Sequence, residues 1–445
     1  MRLELFTTFG SGGWQEQFHQ LVSFGSDTGE ENNVVNLYPE LTYEMLEGFG
    51  GAITESAAYV YSLMDEKQKK QLLATYFTPE RMNYQFVRLH LDSCDFSLEQ
   101  YEAMSDPSDR AMDSFTLERM ETYVLPMLRD AQEAAGRPLE LMVSPWSPPA
   151  FMKTSSRREG GGKLRPEYRQ FWAEYLCRYI QELKSRGFHI RRMTLQNEPM
   201  AVQTWDSCVF TAKEQRDFLV DSMYPAMAAH GLEDIEIFLW DHNKERAYEW
   251  MRDAVDPVSG PMIAGTAFHW YSGDHFEILE LIRNQFPDKK LIASESCIEF
   301  FKFDTKDAVS AARYLAHELI GDLNHGMTAF YDWNLLLDEN GGPNYAENFC
   351  LAPFLYNTKT GKLVPQLLQQ YLEHFSHHLL PGSVRIGHSR YTEEIDVTAW
   401  KRPDGTLAVI LLNKTDSLMP VCLRVNGQIG ECLLSPASIT TGIIS

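Results

Sequence analysis

Eight times along this chain an apolar run of four to eight residues gives way to helical spacing. The runs cover 45–51, 86–91, 139–144, 192–196, 236–240, 262–268, 290–294 and 327–331. Between the third and fourth, Phe171, Tyr175, Leu176, Tyr179, Ile180 and Leu183 recur at helical steps, and Gly187 supplies a stop. Strands that alternate with helices run parallel, and eight such units predict an α/β fold closed into a (β/α)8 TIM barrel. Past about Leu379 the pattern shortens to SVRIGHS, EIDVTAW, LAVILLNK and PVCLRVN, with Pro403, Asp404 and Gly405 reading as a turn. These runs predict an antiparallel β-sandwich. The strand-like NNVVNLYPELTYE ahead of the first barrel strand is expected to join it and bring the two ends of the chain together. The expected division is 1–44 for the N-terminal sandwich segment, 45–378 for the barrel and 379–445 for the rest of the sandwich.

Composition narrows the partners. A chain of 445 residues that is 44% hydrophobic and 23% charged can bury a large core and is an ordinary globular protein. Its formal net charge of −22 repels phosphate backbones and anionic headgroups, so nucleic acid and stable membrane insertion are excluded as partners and a small or neutral substrate fits better. Nine Trp and twenty Tyr suit stacking on flat rings such as sugars, besides filling a core. The seven cysteines are an odd number with no C-x-x-C spacing, so reduced thiols are expected. The opening MRLELFTTFGSGGW lacks the apolar segment of a secretion leader and no run of eighteen apolar residues occurs, so a cytoplasmic location is expected.

A barrel of this kind keeps its chemistry at the C-terminal ends of its strands. There stand Asp92 and Asp95 after the second run, Trp146 after the third, and Asn197 and Glu198 after the fourth. His269, Trp270 and Tyr271 follow the sixth, Glu295 the seventh, and Asp332, Trp333 and Asn334 the eighth. Singly these are what exposed loops are made of; their convergence on one rim is the signal. Glu198 and Glu295 would face each other across a mouth rimmed with Trp and Tyr. Such a pair suits glycoside hydrolysis, in which one carboxylic acid protonates the leaving oxygen and one carboxylate attacks or activates water.

The segments EGFGGAITESAA, VRLHLDSCDFS, VSPWSPPAFMKT, LQNEPMAVQTWDSCVFTAKEQRDF, FHWY, LIASESCIEF and YDWNLLLDENGGPNYAENF resemble, in order and over about 300 residues, the signatures of glycoside hydrolase family 30, the glucosylceramidase-like retaining β-glycosidases. The resemblance implies a barrel with a side β-sandwich and retention of configuration. It implies that Glu198 is the general acid/base and Glu295 the nucleophile, that Asn197 bonds the sugar 2-hydroxyl, and that Arg88 keeps the nucleophile anionic. Asp95, Trp146 and Trp333 match glucose-contacting positions, and His269 and Tyr271 match groups beside the nucleophile. Glu55 stands where the glucosylceramidase branch usually has Asp, and the loop at Gln203, Thr204, Trp205 and Asp206 is short, which leaves the aglycone open. The expected activity is a retaining exo-β-glucosidase on a β-linked sugar, with β-xylosidase, β-fucosidase or β-1,6-glucanase as alternatives within the family.

Two rival readings share the same rim. A carbohydrate-binding protein without catalysis would use the carboxylates only as acceptors. A metal-dependent hydrolase would draw on His90, His269 and Asp residues, but the histidines are not paired four residues apart. No metal and no organic cofactor is therefore expected.

Overall fold

The computed structural model describes residues 1–10, 18–302 and 307–445. Its eight barrel strands are Gly48–Ala52 (β1), Phe86–Leu91 (β2), Glu140–Pro145 (β3), His189–Thr194 (β4), Glu236–Asn243 (β5), Gly265–His269 (β6), Lys290–Glu295 (β7) and Met327–Asp332 (β8). All neighbours are parallel, and β8 returns to β1 to close the ring. Most boundaries differ from the sequence reading by one to three residues, and three of the differences have a visible cause. β1 starts at Gly48 because Met45 ends a long sandwich strand, Val34–Met45. β4 stops at Thr194, where the chain turns toward the mouth. β6 starts at Gly265, because a Cβ there would meet the Lys290 carbonyl oxygen of β7 at 2.1 Å and only glycine lets the strands approach.

Alternation along the strands sets the barrel interior in layers. At the N-terminal end, Arg192 and Lys290 converge on Glu47 at 2.5 and 3.2 Å and on Glu236, joined by Arg191. Above this ionic plug lies an apolar layer of Phe86, Met142, Phe238, Ala267, Ile292, Ala329 and Tyr331. One step further toward the mouth the inward side chains become polar: Arg88 from β2, Ser144 from β3, Thr194 from β4, His269 from β6 and Ser294 from β7, all buried. The apolar layer thus carries a floor of hydrogen-bonding groups, and on that floor the site is built.

The sandwich is one ten-stranded, mostly antiparallel sheet drawn from both ends of the chain. Arg2–Phe9 pairs with Ser438–Ile444, while Val34–Met45 lies between Val384–Ser389 and Met419–Val425, the latter pairing parallel at Val34, Val35 and Asn36. Alternate residues of Ile395–Lys401 and Leu407–Asn413 face opposite cores. Ile395, Val397, Val409 and Leu411 enter the sandwich interior, whereas Trp400, Ala408, Ile410 and Leu412 pack on the barrel core. A strand buried on both faces needs no polar alternation, which accounts for the unbroken LAVILLN.

Of the ion pairs that join the two units, one carries a pH signature. His317, on the barrel helix Ala308–Asn324, shares a 2.6 Å hydrogen bond with Asp396 of the sandwich and lies 3.3 Å from Asp274. Lys414 and Arg390 also reach Asp396, and the Phe276 ring packs edge-on against His317. The Asp396 hydrogen bond raises the imidazole above its usual value. Burial opposes the shift at Asp396, but His317, Lys414 and Arg390 hold it down at about 2. The raised His317 contributes stability that is complete below the unfolded value of about 6.5 and is lost as pH rises through the folded value. The lowered Asp396 contributes above about 3.9 and fades as pH falls through about 2. The Tm difference between the protein and His317→Gln is expected to be largest between about pH 4 and 6.5 and to shrink toward pH 9. A difference that grows with pH would contradict this assignment.

Candidate active site

Arg88 is the centre of the polar floor. Its Nη1 donates to Glu295 Oε2 at 2.6 Å, its Nη2 to Asn197 Oδ1 and Asp241 Oδ2 at 2.9 Å each, and its Nε to Ser144 Oγ at 3.2 Å. The guanidinium lies 5.0 Å from the Trp146 ring and 5.6 Å from that of Trp333. Those two indoles stack on each other with centroids 5.4 Å apart. Burial alone would lower Arg88, but the charges of Asp241 and Glu295 raise it, so it stays a cation among its acceptors.

Glu295 ends β7. Both of its oxygens receive donors, Arg88 on Oε2 and the Tyr271 hydroxyl on Oε1 at 3.0 Å. Burial raises its carboxyl, opposed by His269 and Arg88. Accepting on both oxygens, the carboxylate is held in one orientation at the floor of the cavity. Glu198 follows β4 on a left-handed backbone (φ 45°), unusual for a side-chain-bearing residue, held by a 2.9 Å bond from its N–H to the Asp241 carbonyl. Its Oε1 lies 3.2 Å from His269 Nδ1 and 3.6 Å from His242 Nδ1. Burial of Glu198 is outweighed by the hydrogen bond from His269 and the charges of His242 and His269, which keep its carboxyl low. His269 Nδ1 is also 4.0 Å from Glu295 Oε1, so one imidazole nitrogen spans the gap between the two carboxylates. Although burial lowers His269, the carboxylates of Glu295, Asp241 and Glu198 push it up to about 9.

The remaining expected residues gather on the same cavity. Asn197 lines the cavity and accepts from Arg88 on its Oδ1. Asp95 receives Asn348 Nδ2 at 3.0 Å, and burial together with the charge of Glu295 pushes it up to about 8. The cavity measures about 330 Å³ and is walled by Trp146, Trp333, Asp95, Asn348, Tyr271 and Cys297 around the two glutamates. Gln203 and Trp205 line it from the short loop after β4, and Glu299, Phe301 and Lys302 from the segment after β7. Asp206 anchors the first loop by accepting from Arg158 Nε at 2.8 Å, Ser93 Oγ at 2.8 Å and the Tyr345 hydroxyl at 3.0 Å.

Other rim candidates turn away from the cavity. Asp92 accepts from the Tyr175 hydroxyl and the Ala103 N–H. Trp270 donates to the Cys297 carbonyl, and Asn334 accepts from Thr54. Both nitrogens of His90 are engaged, with the Asp92 carbonyl at 2.6 Å and the Glu55 N–H at 3.1 Å, so neither is open to a metal. Glu55 uses its extra methylene to accept from Arg119 and from the Leu98 N–H, under the barrel mouth rather than in it.

Asp241, like Asn348 and His242 on the cavity wall, is not singled out by the sequence pattern. Fully buried, it accepts from Arg88, Thr194 Oγ1 and Ser294 Oγ, and faces His269 Nε2 at 3.1 Å. Burial opposes ionisation, but Arg88 and His269 hold its carboxyl well below the usual range. Strict alternation along β5 would send Trp240 inward and Asp241 outward. Trp240 and Asp241 instead take positive φ, and the pairing with β6 skips from Trp240 to His242. This bulge turns Asp241 into the barrel and packs Trp240 against Trp250.

The chain matches the glycosyl hydrolase family 30 TIM-barrel domain over residues 46–379 and the beta sandwich domain of the same family over 382–442. It is 28% identical to lysosomal acid glucosylceramidase of Mus musculus over 407 residues, 88% of this chain and 79% of that one. The solved structure of SrfJ from Salmonella typhimurium superposes with a TM-score of 0.95 at 32% identity, covering 100% of this chain and 99% of the other. The endo-beta1,6-glucanase BT3312 superposes with a TM-score of 0.89 at 25% identity and covers 100% of each.

Proposed function

The chain belongs to glycosyl hydrolase family 30 and is a glycoside hydrolase, and from that premise we propose a retaining β-glucosidase that works by double displacement on Glu295 and Glu198. The observation that carries the reading is the pair of carboxylates bridged by His269 Nδ1 at 3.2 and 4.0 Å, one held ready as an acceptor-rich anion and one in contact with a proton donor.

Glu295, oriented by Arg88 and Tyr271, attacks the anomeric carbon. The bond to the leaving oxygen breaks, and that oxygen takes the proton shared by Glu198 and His269. Entry of the sugar expels water from Glu198, the one member of that pair still partly exposed, which favours the neutral form with the proton on Glu198. Once Glu295 is esterified, Glu198 as carboxylate accepts a proton from the incoming water, which displaces Glu295 from the same face that the leaving group left. Asn197 Nδ2 is placed to hold the sugar 2-hydroxyl, and Asp95 with Asn348 to hold hydroxyls further round the ring. A cavity of about 330 Å³ is at the small end for ligand sites and suits one sugar ring with the first atoms of its leaving group, which supports exo action.

A β-1,6-glucanase is the second reading, favoured by full-length likeness to BT3312. A panel of aryl β-glycosides, a β-glucosyl lipid and a β-1,6-glucan separates the two, with monomeric glucose from the aryl glucoside and lipid expected as the main product. Proton NMR of the first-formed sugar is expected to show the β-anomer. Release of the α-anomer from a β-substrate would overturn double displacement.

A further inference from the structure

His242 has no part in the reaction just described, yet its Nδ1 is buried without a hydrogen-bond partner. An orphaned buried nitrogen facing a carboxylate needs an explanation. One donor atom each of Glu198, His242 and His269 lies within 4.8 Å of the others, with Glu198 Oε1 at 3.2 Å from His269 Nδ1 and 3.6 Å from His242 Nδ1. Tetrahedral zinc, with bonds of about 2.0–2.2 Å, sets its ligand atoms about 3.3 Å apart, so little side-chain movement closes this group on an ion.

The geometry points to an inhibitory site for a borderline divalent cation, zinc above all, formed by Glu198 Oε1, His242 Nδ1 and His269 Nδ1. Three features of the surroundings support it. His269 presents Nε2 to Asp241 Oδ1 at 3.1 Å, the carboxylate–imidazole arrangement that orients a ligating histidine and raises its basicity. The His242 ring is stacked on Trp240 at 5.1 Å, which fixes the direction of its lone pair. Glu198 and His242 both line the cavity, which supplies an entry path and leaves a coordination position open to water. Two imidazoles and one carboxylate favour zinc, copper or nickel over magnesium or calcium, which want oxygen ligands. Zinc there displaces the proton from His269 Nδ1 to solvent and occupies the carboxylate that the reaction needs, so it stops turnover instead of assisting it.

The test reads binding apart from activity. Calorimetry with zinc chloride in a non-coordinating buffer is expected to show a site whose affinity falls at least about tenfold in His242→Phe and in His242→Gln. It should be untouched in His377→Ala, on the distant helix Leu367–His378. Each active form should lose its own activity over the zinc range that its own calorimetry gives, at least about tenfold higher for the His242 variants, and regain it with a chelator, while magnesium and calcium do nothing. Anomalous scattering at the zinc edge from soaked crystals of the unaltered protein is expected to peak between the three residues. That arm needs neither a variant nor a substrate, so it stands even if the proposed activity fails. Unchanged zinc affinity in both His242 variants, activation by zinc, or an anomalous peak elsewhere with none at this position would each overturn the site.

Discussion

Glu295→Ala is expected to slow hydrolysis of para-nitrophenyl β-glucoside by on the order of 10⁴-fold or more, with azide restoring turnover and yielding the α-glycosyl azide. The size of the loss follows from removing the atom that forms the covalent bond. The rescue follows from the surroundings, since truncation leaves a space beside Arg88 Nη1, a cation now short of one acceptor and suited to a small anion. Azide there attacks the anomeric carbon from the face that Glu295 used, and the aryl oxygen departs from the other, so the configuration inverts once. The variant is expected to fold. Arg88 keeps Asp241 and Asn197 at 2.9 Å, which avoids the roughly 3–5 kcal/mol that an unpaired buried charge costs. Formation of the β-glycosyl azide would place the nucleophile elsewhere.

Glu198→Ala is expected to behave differently toward different leaving groups. General acid catalysis is worth about 10²- to 10⁴-fold, so alkyl β-glucosides should fall by that factor, while activated aryl glucosides, which need little protonation, should still form the glycosyl-enzyme. The second step then limits, because no base activates water. Steady-state kcat for the aryl substrate should drop behind a pre-steady-state burst, with KM falling as the intermediate accumulates. Azide needs no base and should release the β-glycosyl azide, with two inversions. His269 alone beside the gap cannot replace Glu198, since its Nε2 is committed to Asp241 and its Nδ1 lies 4.0 Å from Glu295. Equal losses on alkyl and aryl substrates would sink the assignment of Glu198 as acid/base.

The residues explain why parts of this architecture can be read from sequence and parts cannot. Barrel strands packed on both sides are rich in apolar residues, so β2, β3 and β7 stand out despite Arg88, Ser144 and Ser294 within them, and side chains at or just past strand ends, Trp146, Glu295 and Trp333, announce themselves by position. Asp241 does not, because a bulge reverses its facing and no local pattern marks a bulge. Asn348 reaches Asp95 from a long irregular segment after β8, where neither period applies. Arg191 and Arg192 stand only a few residues before Asn197 and Glu198, yet they belong to the ionic plug at the opposite end of the barrel, a separation that only the strand between them creates. Arg2–Phe9 escaped the strand count altogether, because the ladder that makes it a strand is completed by the far end of the chain.

That last pairing imposes an order on biosynthesis. Thr7 meets Thr440 across 433 positions, hydroxyl to hydroxyl at 3.0 Å. Phe18–Ser23 can pair with one edge of Arg2–Phe9 early, but at about 5–20 residues per second the other edge waits roughly 20 to 90 s after emerging from the ribosome before Ser438–Ile444 exists. Meanwhile the barrel segments can dock with their own sequential partners, but Leu3 and Leu5, buried in the finished sandwich, remain exposed on an unpaired edge. The Arg2–Phe9 edge is therefore open to aggregation for most of synthesis, and a holdase acting there late in translation should raise the yield more than one acting on the barrel.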